Sequence, residues 1–127
     1  PLFPYFEKKV DPKGSYSLHV GYLQDGISKS GPSIGLAATM VILSALLNIH
    51  AYGDVAMTGA ITPTGDVTLI GGLKEKLLGA QLEKIKKVLV PEANMKELDE
   101  EFIKKLTLEV VPVQNVGEAI PHVLMLE

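Results

Sequence analysis

The amino-acid sequence predicts an α/β fold, and three observations lead to it. Residues 36–47 form an almost wholly apolar run of helical length, residues 55–62 and 67–70 flank a Pro-Thr-Gly-Asp turn, and residues 87–90 follow an amphipathic stretch. The last arrangement, strand then helix then strand, is the pattern of a crossover connection.

The elements are read in chain order. Pro1, Pro4 and Pro12, with a Lys-Lys-Val-Asp-Pro-Lys-Gly turn, predict a loose entry segment over residues 1–14. Residues 16–23 alternate well enough for a strand. The polar residues 25–30 form a loop that delivers Gly31, Pro32, Ser33, Ile34 and Gly35 to a helix spanning about 36–49. Only Thr39 and Ser44 interrupt its apolar run, so a central helix covered on several sides is expected. The run is too short for a bilayer span, which needs about 20 residues.

Residues 55–62 and 67–70 read as a hairpin, with Pro63 and Gly65 supplying the turn chemistry. An amphipathic helix follows Gly71-Gly72 and extends to about Lys84. Residues 87–90 are a short buried strand closed by Pro91. Residues 93–105 read as a charged surface helix, 107–113 as a strand and 115–125 as a final helix. Neither repeat, low-complexity tract nor interior linker divides residues 1–127, so one domain is expected.

The composition narrows the chemistry. A chain of 127 residues suits one core, burying roughly two-thirds of its unfolded surface. Hydrophobic residues at 46% and charged residues at 21% argue against disorder, and a formal charge of −3 offers no basic field for nucleic acid. The absence of cysteine removes disulfides, thiolate catalysis and cysteine-ligated zinc. The opening Pro-Leu-Phe-Pro-Tyr-Phe lacks the organisation of a secretory signal, so a cytoplasmic location with no membrane element in this segment is expected. The chain contains neither Gly-x-x-x-x-Gly-Lys-Ser/Thr nor Gly-x-Gly-x-x-Gly, which removes the usual cues for ATP and dinucleotides.

Two motifs can carry chemistry. In Gly-Pro-Ser-Ile-Gly, Ser33 stands near a helix start. It can cap orphan backbone N–H groups there, or it can serve as a nucleophile whose oxyanion those N–H groups stabilise. The flanking glycines would let a substrate backbone come close. In Gly-Gly-Leu-Lys-Glu-Lys, Lys74 and Lys76 are either solvated surface charges or candidate bases. A lysine kept neutral by burial can deprotonate a serine without histidine. Helical phase leaves the two open: Lys76 lies beside Ala80 and one turn beyond Leu73, while Lys74 lies between Leu77 and Leu78.

Thr58, in Val-Ala-Met-Thr-Gly, follows an apolar strand and can either orient a lysine amine or satisfy a strand end. His19 reads as a structural histidine, and His50 and His122 sit at element ends that suit caps or solvent. Asp54 and Asp66 read as turn residues without metal-ligand spacing.

Gly-Pro-Ser-Ile-Gly, Asp-Val-Ala-Met-Thr-Gly, Ile-Gly-Gly-Leu-Lys-Glu-Lys-Leu-Leu and Val-Leu-Val-Pro-Glu-Ala-Asn strongly resemble the proteolytic domain of Lon proteases, over roughly residues 16–122. The resemblance implies a compact two-layer α/β domain with small mixed sheets and packed helices. It assigns Ser33 as nucleophile and Lys76 as its partner, with Thr58, Gly31 and Pro32 supporting them. It also implies polypeptide substrates, assembly into hexameric rings, no metal or cofactor in this domain, and ATP with Mg²⁺ only on a separate ATPase module.

The chain departs from that family at Ser30, where an aspartate is common, at Ala60, where a glutamate is common, and at Gly21, where a second histidine is common. The N-terminal strands and helix usual there are expected to be absent from this segment. The expected function is a Ser/Lys endopeptidase acting on unfolded or damaged polypeptides. The alternatives are a non-proteolytic assembly or binding domain and a self-processing protease.

Overall fold

The computed structural model describes residues 34–126. The expected strand at residues 16–23, the entry segment and the loop at 25–30 lie outside the described residues, as does His19. Helix α1 (Gly35–Leu47) is followed by strands β1 (Val55–Met57), β2 (Ala60–Ile61) and β3 (Val67–Thr68) and by helix α2 (Leu73–Leu82). Strand β4 (Lys87–Pro91), a 3₁₀ helix (Glu92–Glu97), α3 (Glu100–Lys104), β5 (Glu109–Val113) and α4 (Val116–Val123) complete the order.

β1, β4 and β5 form a parallel sheet in the order β1-β4-β5, and β2 and β3 pair antiparallel in a second, smaller sheet. Both parallel pairings are crossovers. A parallel sheet covered on both faces needs strands without a polar side, and Val88, Leu89 and Val90 are each 0% exposed. Their side chains alternate between two apolar layers. Leu89 joins Met57, Val111, α1 and α4 on one face; Val88 and Val90 join Ala56, Leu73, Leu77 and Leu98 on the other. The chain therefore adopts the expected α/β class, with helices packed on both faces of the parallel sheet.

Three local expectations are corrected. Helix α1 buries one face, Leu36, Ala37, Met40, Leu43, Ser44 and Leu47, while Ile42 is 56% exposed, so among the described residues it is not covered on several sides. Its two polar interruptions are satisfied by main-chain carbonyls, Thr39 by Gly35 and Ser44 by Ile49. The helix stops at Leu47 because Asn48 adopts a left-handed conformation (φ 54°), a backbone state asparagine tolerates better than most residues.

The expected single strand over 55–62 is two strands in two sheets. Thr58 continues β1 with one further bond, its N–H donating to Leu89 O at 3.0 Å, and the chain then leaves the parallel sheet at Gly59 to form the hairpin. A Cβ on Gly59 would sit 2.7 Å from Val67 Cγ1, closer than packed atoms approach. The hairpin is held by the main chain beyond β5: Val67 N–H donates to Gln114 O at 2.8 Å and Val116 N–H to Gly65 O at 2.9 Å.

The expected surface helix over 93–105 is a 3₁₀ helix and a separate short α-helix. Leu98 between them is extended and buried, and Asp99 restarts the helix by accepting the Phe102 N–H at 2.8 Å. Asn115 caps α4 in the same way through Glu118 N–H. No helix among the described residues is long and apolar enough to cross a membrane.

Candidate active site

Helix α2 leaves a left-handed Gly72 (φ 68°) and buries Leu73, Lys76, Leu77 and Ala80. Spacings of three and four place these on one face. A lysine thus occupies a core position, while Leu78 and Leu82 on the other face are 46% and 82% exposed. This inversion explains why apolar periodicity does not separate the two lysines. Lys74 is exposed, with Nζ 5.4 Å from the centre of the Phe102 ring, a cation–π distance.

Lys76 is 2% exposed and Thr58 1%. The Lys76 amine donates to the Thr58 hydroxyl at 3.4 Å, long for a hydrogen bond. Burial pushes the Lys76 pKa below the usual lysine value of 10.5, because an ammonium group loses hydration that the pocket does not replace. Burial therefore shifts Lys76 towards the neutral amine, the protonation state a base requires.

The surroundings bring a third element to this pair. Gly59, next to Thr58, accepts the Leu36 N–H at 2.9 Å, docking the first turn of α1 at the end of β1. Ile34 is the cap of α1 and provides no side-chain hydrogen bond. Ser33 precedes it by one residue and, with Gly31 and Pro32, lies outside the described residues. Gly35 is closely packed, since a Cβ there would lie 3.1 Å from Ile61.

Asn94 closes the Val-Leu-Val-Pro-Glu-Ala-Asn motif, but the sequence alone assigns it no role. It is 0% exposed and its amide bonds both the N–H and the carbonyl of Ile70, at 3.0 and 2.9 Å. Ile70 leads into the Gly71-Gly72 turn that starts α2. Its signal in the sequence is its place in that motif, at the start of a stretch otherwise read as a charged surface helix.

The other candidates stand apart from this pair. His50 is exposed, and His122, in the last turn of α4, has Nδ1 3.4 Å from Lys87 Nζ. Asp66 accepts the Thr64 hydroxyl at 3.0 Å in the hairpin turn. Among the described residues no three histidine, aspartate or glutamate side chains converge as metal ligands. A cavity of about 250 Å³ lined by Tyr52, Asp54, Lys86, Lys87 and Glu109 lies at the amino ends of the parallel strands. Thr58 follows the carboxyl end of β1 and Asn94 that of β4, the edge where open parallel sheets usually carry their sites.

The sequence is similar to known proteins over nearly its whole length. A family model described as the Lon protease (S16) C-terminal proteolytic domain matches residues 5–126. The chain is 44% identical over 124 residues to a Lon protease of Brucella suis biovar 1, an alignment covering 96% of this chain and 14% of that protein. It is 45% identical over 123 residues to a Lon protease of Rhizobium meliloti, with 96% and 14% covered. A Lon protease of Nitratidesulfovibrio vulgaris is 45% identical over 127 residues, with 98% and 14% covered. The chain spans about 14% of the length of these curated relatives.

Proposed function

This chain belongs to the Lon protease family, by its C-terminal proteolytic domain, and from that membership we propose that it is a serine endopeptidase in which Lys76 activates Ser33. The observation that carries the proposal is Lys76 itself: a lysine on the core face of a helix, stripped of water, with a threonine hydroxyl as its hydrogen-bond partner among the described residues.

The reaction follows from the protonation state. Neutral Lys76 takes the Ser33 hydroxyl proton as the oxygen attacks a peptide carbonyl. Backbone N–H groups around Ser33 stabilise the oxyanion. The Lys76 ammonium returns the proton to the departing amine, leaving an acyl-enzyme, and the regained amine then activates the water that releases it. Thr58 orients the amine throughout. The docking of Leu36 on Gly59 supports the partnership, since Ser33 stands one residue before the cap of α1 and Gly59 adjoins Thr58.

Unfolded or damaged polypeptides are the proposed substrates, and a homo-oligomeric, hexameric ring is the proposed assembly. ATP and Mg²⁺ belong to a separate ATPase module of the whole protein. The 127 residues contain no phosphate loop to hold them, and no step above depends on them.

Substituting Ser33 and Lys76 separately with alanine and following casein cleavage tests the proposal. Loss of cleavage in both folded variants supports it; wild-type rates in either overturn it.

A further inference from the structure

Asn94 is the one asparagine among the fully buried polar residues described, and its amide is used on both sides. Oδ1 accepts the Ile70 N–H at 3.0 Å and Nδ2 donates to the Ile70 carbonyl at 2.9 Å, so the side chain pairs with that residue as a neighbouring strand would. Nδ2 also donates to Glu97 Oε2 at 2.6 Å, a short bond to a carboxylate that fixes the amide in one orientation.

What this clamp holds is the departure point of α2. Ile70 is followed by Gly71 and Gly72, and the Gly72 carbonyl accepts the Lys76 N–H at 3.1 Å. Two glycines alone would leave the turn with much backbone freedom. Thr58 is fastened to β4 through the Leu89 carbonyl, and Asn94 follows β4 by way of the 3₁₀ helix. Both members of the Lys76–Thr58 pair are thus referenced to the same strand, one through the main chain and the other through the Asn94 amide.

We propose that Asn94, held by Glu97, is a positioning residue that sets where α2 begins and so keeps the Lys76 amine against Thr58 in a dry pocket. Its catalytic consequence rests on Lys76 being the base proposed above; its geometric consequence does not. Among the described residues, Glu97 at the clamp and Glu75 on the first turn of α2, whose Oε1 lies 3.7 Å from a Cβ built on Gly72, are carboxylates beside this turn. Lys74 points away over Phe102.

The test follows the Lys76 side-chain NMR signal through a pH titration of the full chain, alongside casein cleavage. It compares wild type with Asn94→Ala and with Asn94→Asp/Glu97→Gln, which keeps the residue volume and avoids facing carboxylates while removing the donor to Ile70. Both variants are expected to titrate Lys76 nearer the ordinary lysine range, as water enters a loosened pocket. Their kcat is expected to fall by roughly 10- to 100-fold, the scale of a misplaced catalytic group, with KM held within about twofold. An unchanged Lys76 titration in a folded variant overturns the proposal. The titration decides the role of Asn94 even if Lys76→Ala retains full cleavage, a result that would overturn the protease mechanism instead.

Discussion

The amine of Lys76 and the hydroxyl of Thr58 meet at 3.4 Å in a pocket where neither side chain is more than 2% exposed. This contact links the core face of α2 to the residue that follows β1, where the chain passes from the parallel sheet to the hairpin. A buried lysine there opposes folding unless it is neutral. That opposition is the source of its proposed reactivity.

Thr58→Val keeps the shape of the side chain and removes the hydroxyl. Cleavage should fall about tenfold, the rate equivalent of one hydrogen bond of about 1.4 kcal/mol. Thr58→Ser should restore most of it. Equal rates for the valine and serine variants in steady-state assays would remove Thr58 from the mechanism.

The pH dependence of stability has a defined sign. Because the folded-state pKa of Lys76 is depressed below 10.5, the unfolded chain binds more protons than the folded one between those two values. Lys76 therefore makes stability rise with pH across that window. Below the folded pKa its burial penalty is present in full, and above 10.5 it is relieved. Lys76→Met should be more stable than wild type at low pH, with the gap closing as pH rises. Denaturant unfolding at a series of pH values checks this, and parallel curves would contradict it.

The two lysines should separate cleanly. Lys74→Ala loses a contact over Phe102 worth about 0.5–1 kcal/mol at an exposed site and should cleave casein at close to the wild-type rate. Lys76→Ala should lose cleavage by about a thousandfold or more, as removal of a catalytic base does. Loss of activity in Lys74→Ala with retention in Lys76→Ala would reverse the assignment.

Gly59→Ala should destabilise the domain by about 1–3 kcal/mol, the usual scale of overpacking, because its methyl would collide with Val67. Activity should fall with it, since the Gly59 carbonyl holds the Leu36 N–H. Val67→Ala in the same chain should recover part of the lost thermal stability. No recovery would place the strain elsewhere.

How much of this was legible in sequence depended on whether local pattern and tertiary role agreed. Val88, Leu89 and Val90 read as a buried strand because a doubly covered strand has no polar side to disguise it. The segment 55–62 did not reveal its break, because Met57, Thr58, Gly59 and Ala60 carry no turn signal that outweighs their β character. Where the chain switches sheets, Val67, Leu36 and Pro91 pack round Gly59. In 93–105, Asp99 was a readable cap that the surrounding charge obscured. The position of Lys76 could not be read from periodicity at all, since α2 exposes leucines and buries a charge-bearing side chain. The family resemblance supplied that assignment. Asn94 stands in a motif the sequence shows, but its role is not legible there because its clamp on Ile70 joins residues 24 positions apart.

The most direct measurement of the central claim is labelling of the full chain with a fluorophosphonate probe, mapped by mass spectrometry across pH. Stoichiometric modification at Ser33, slowing on acidification, abolished in Lys76→Ala and retained in Lys74→Ala, is the predicted result. Labelling of Ser33 that is indifferent to Lys76, or modification of a different serine in the folded chain, would contradict it.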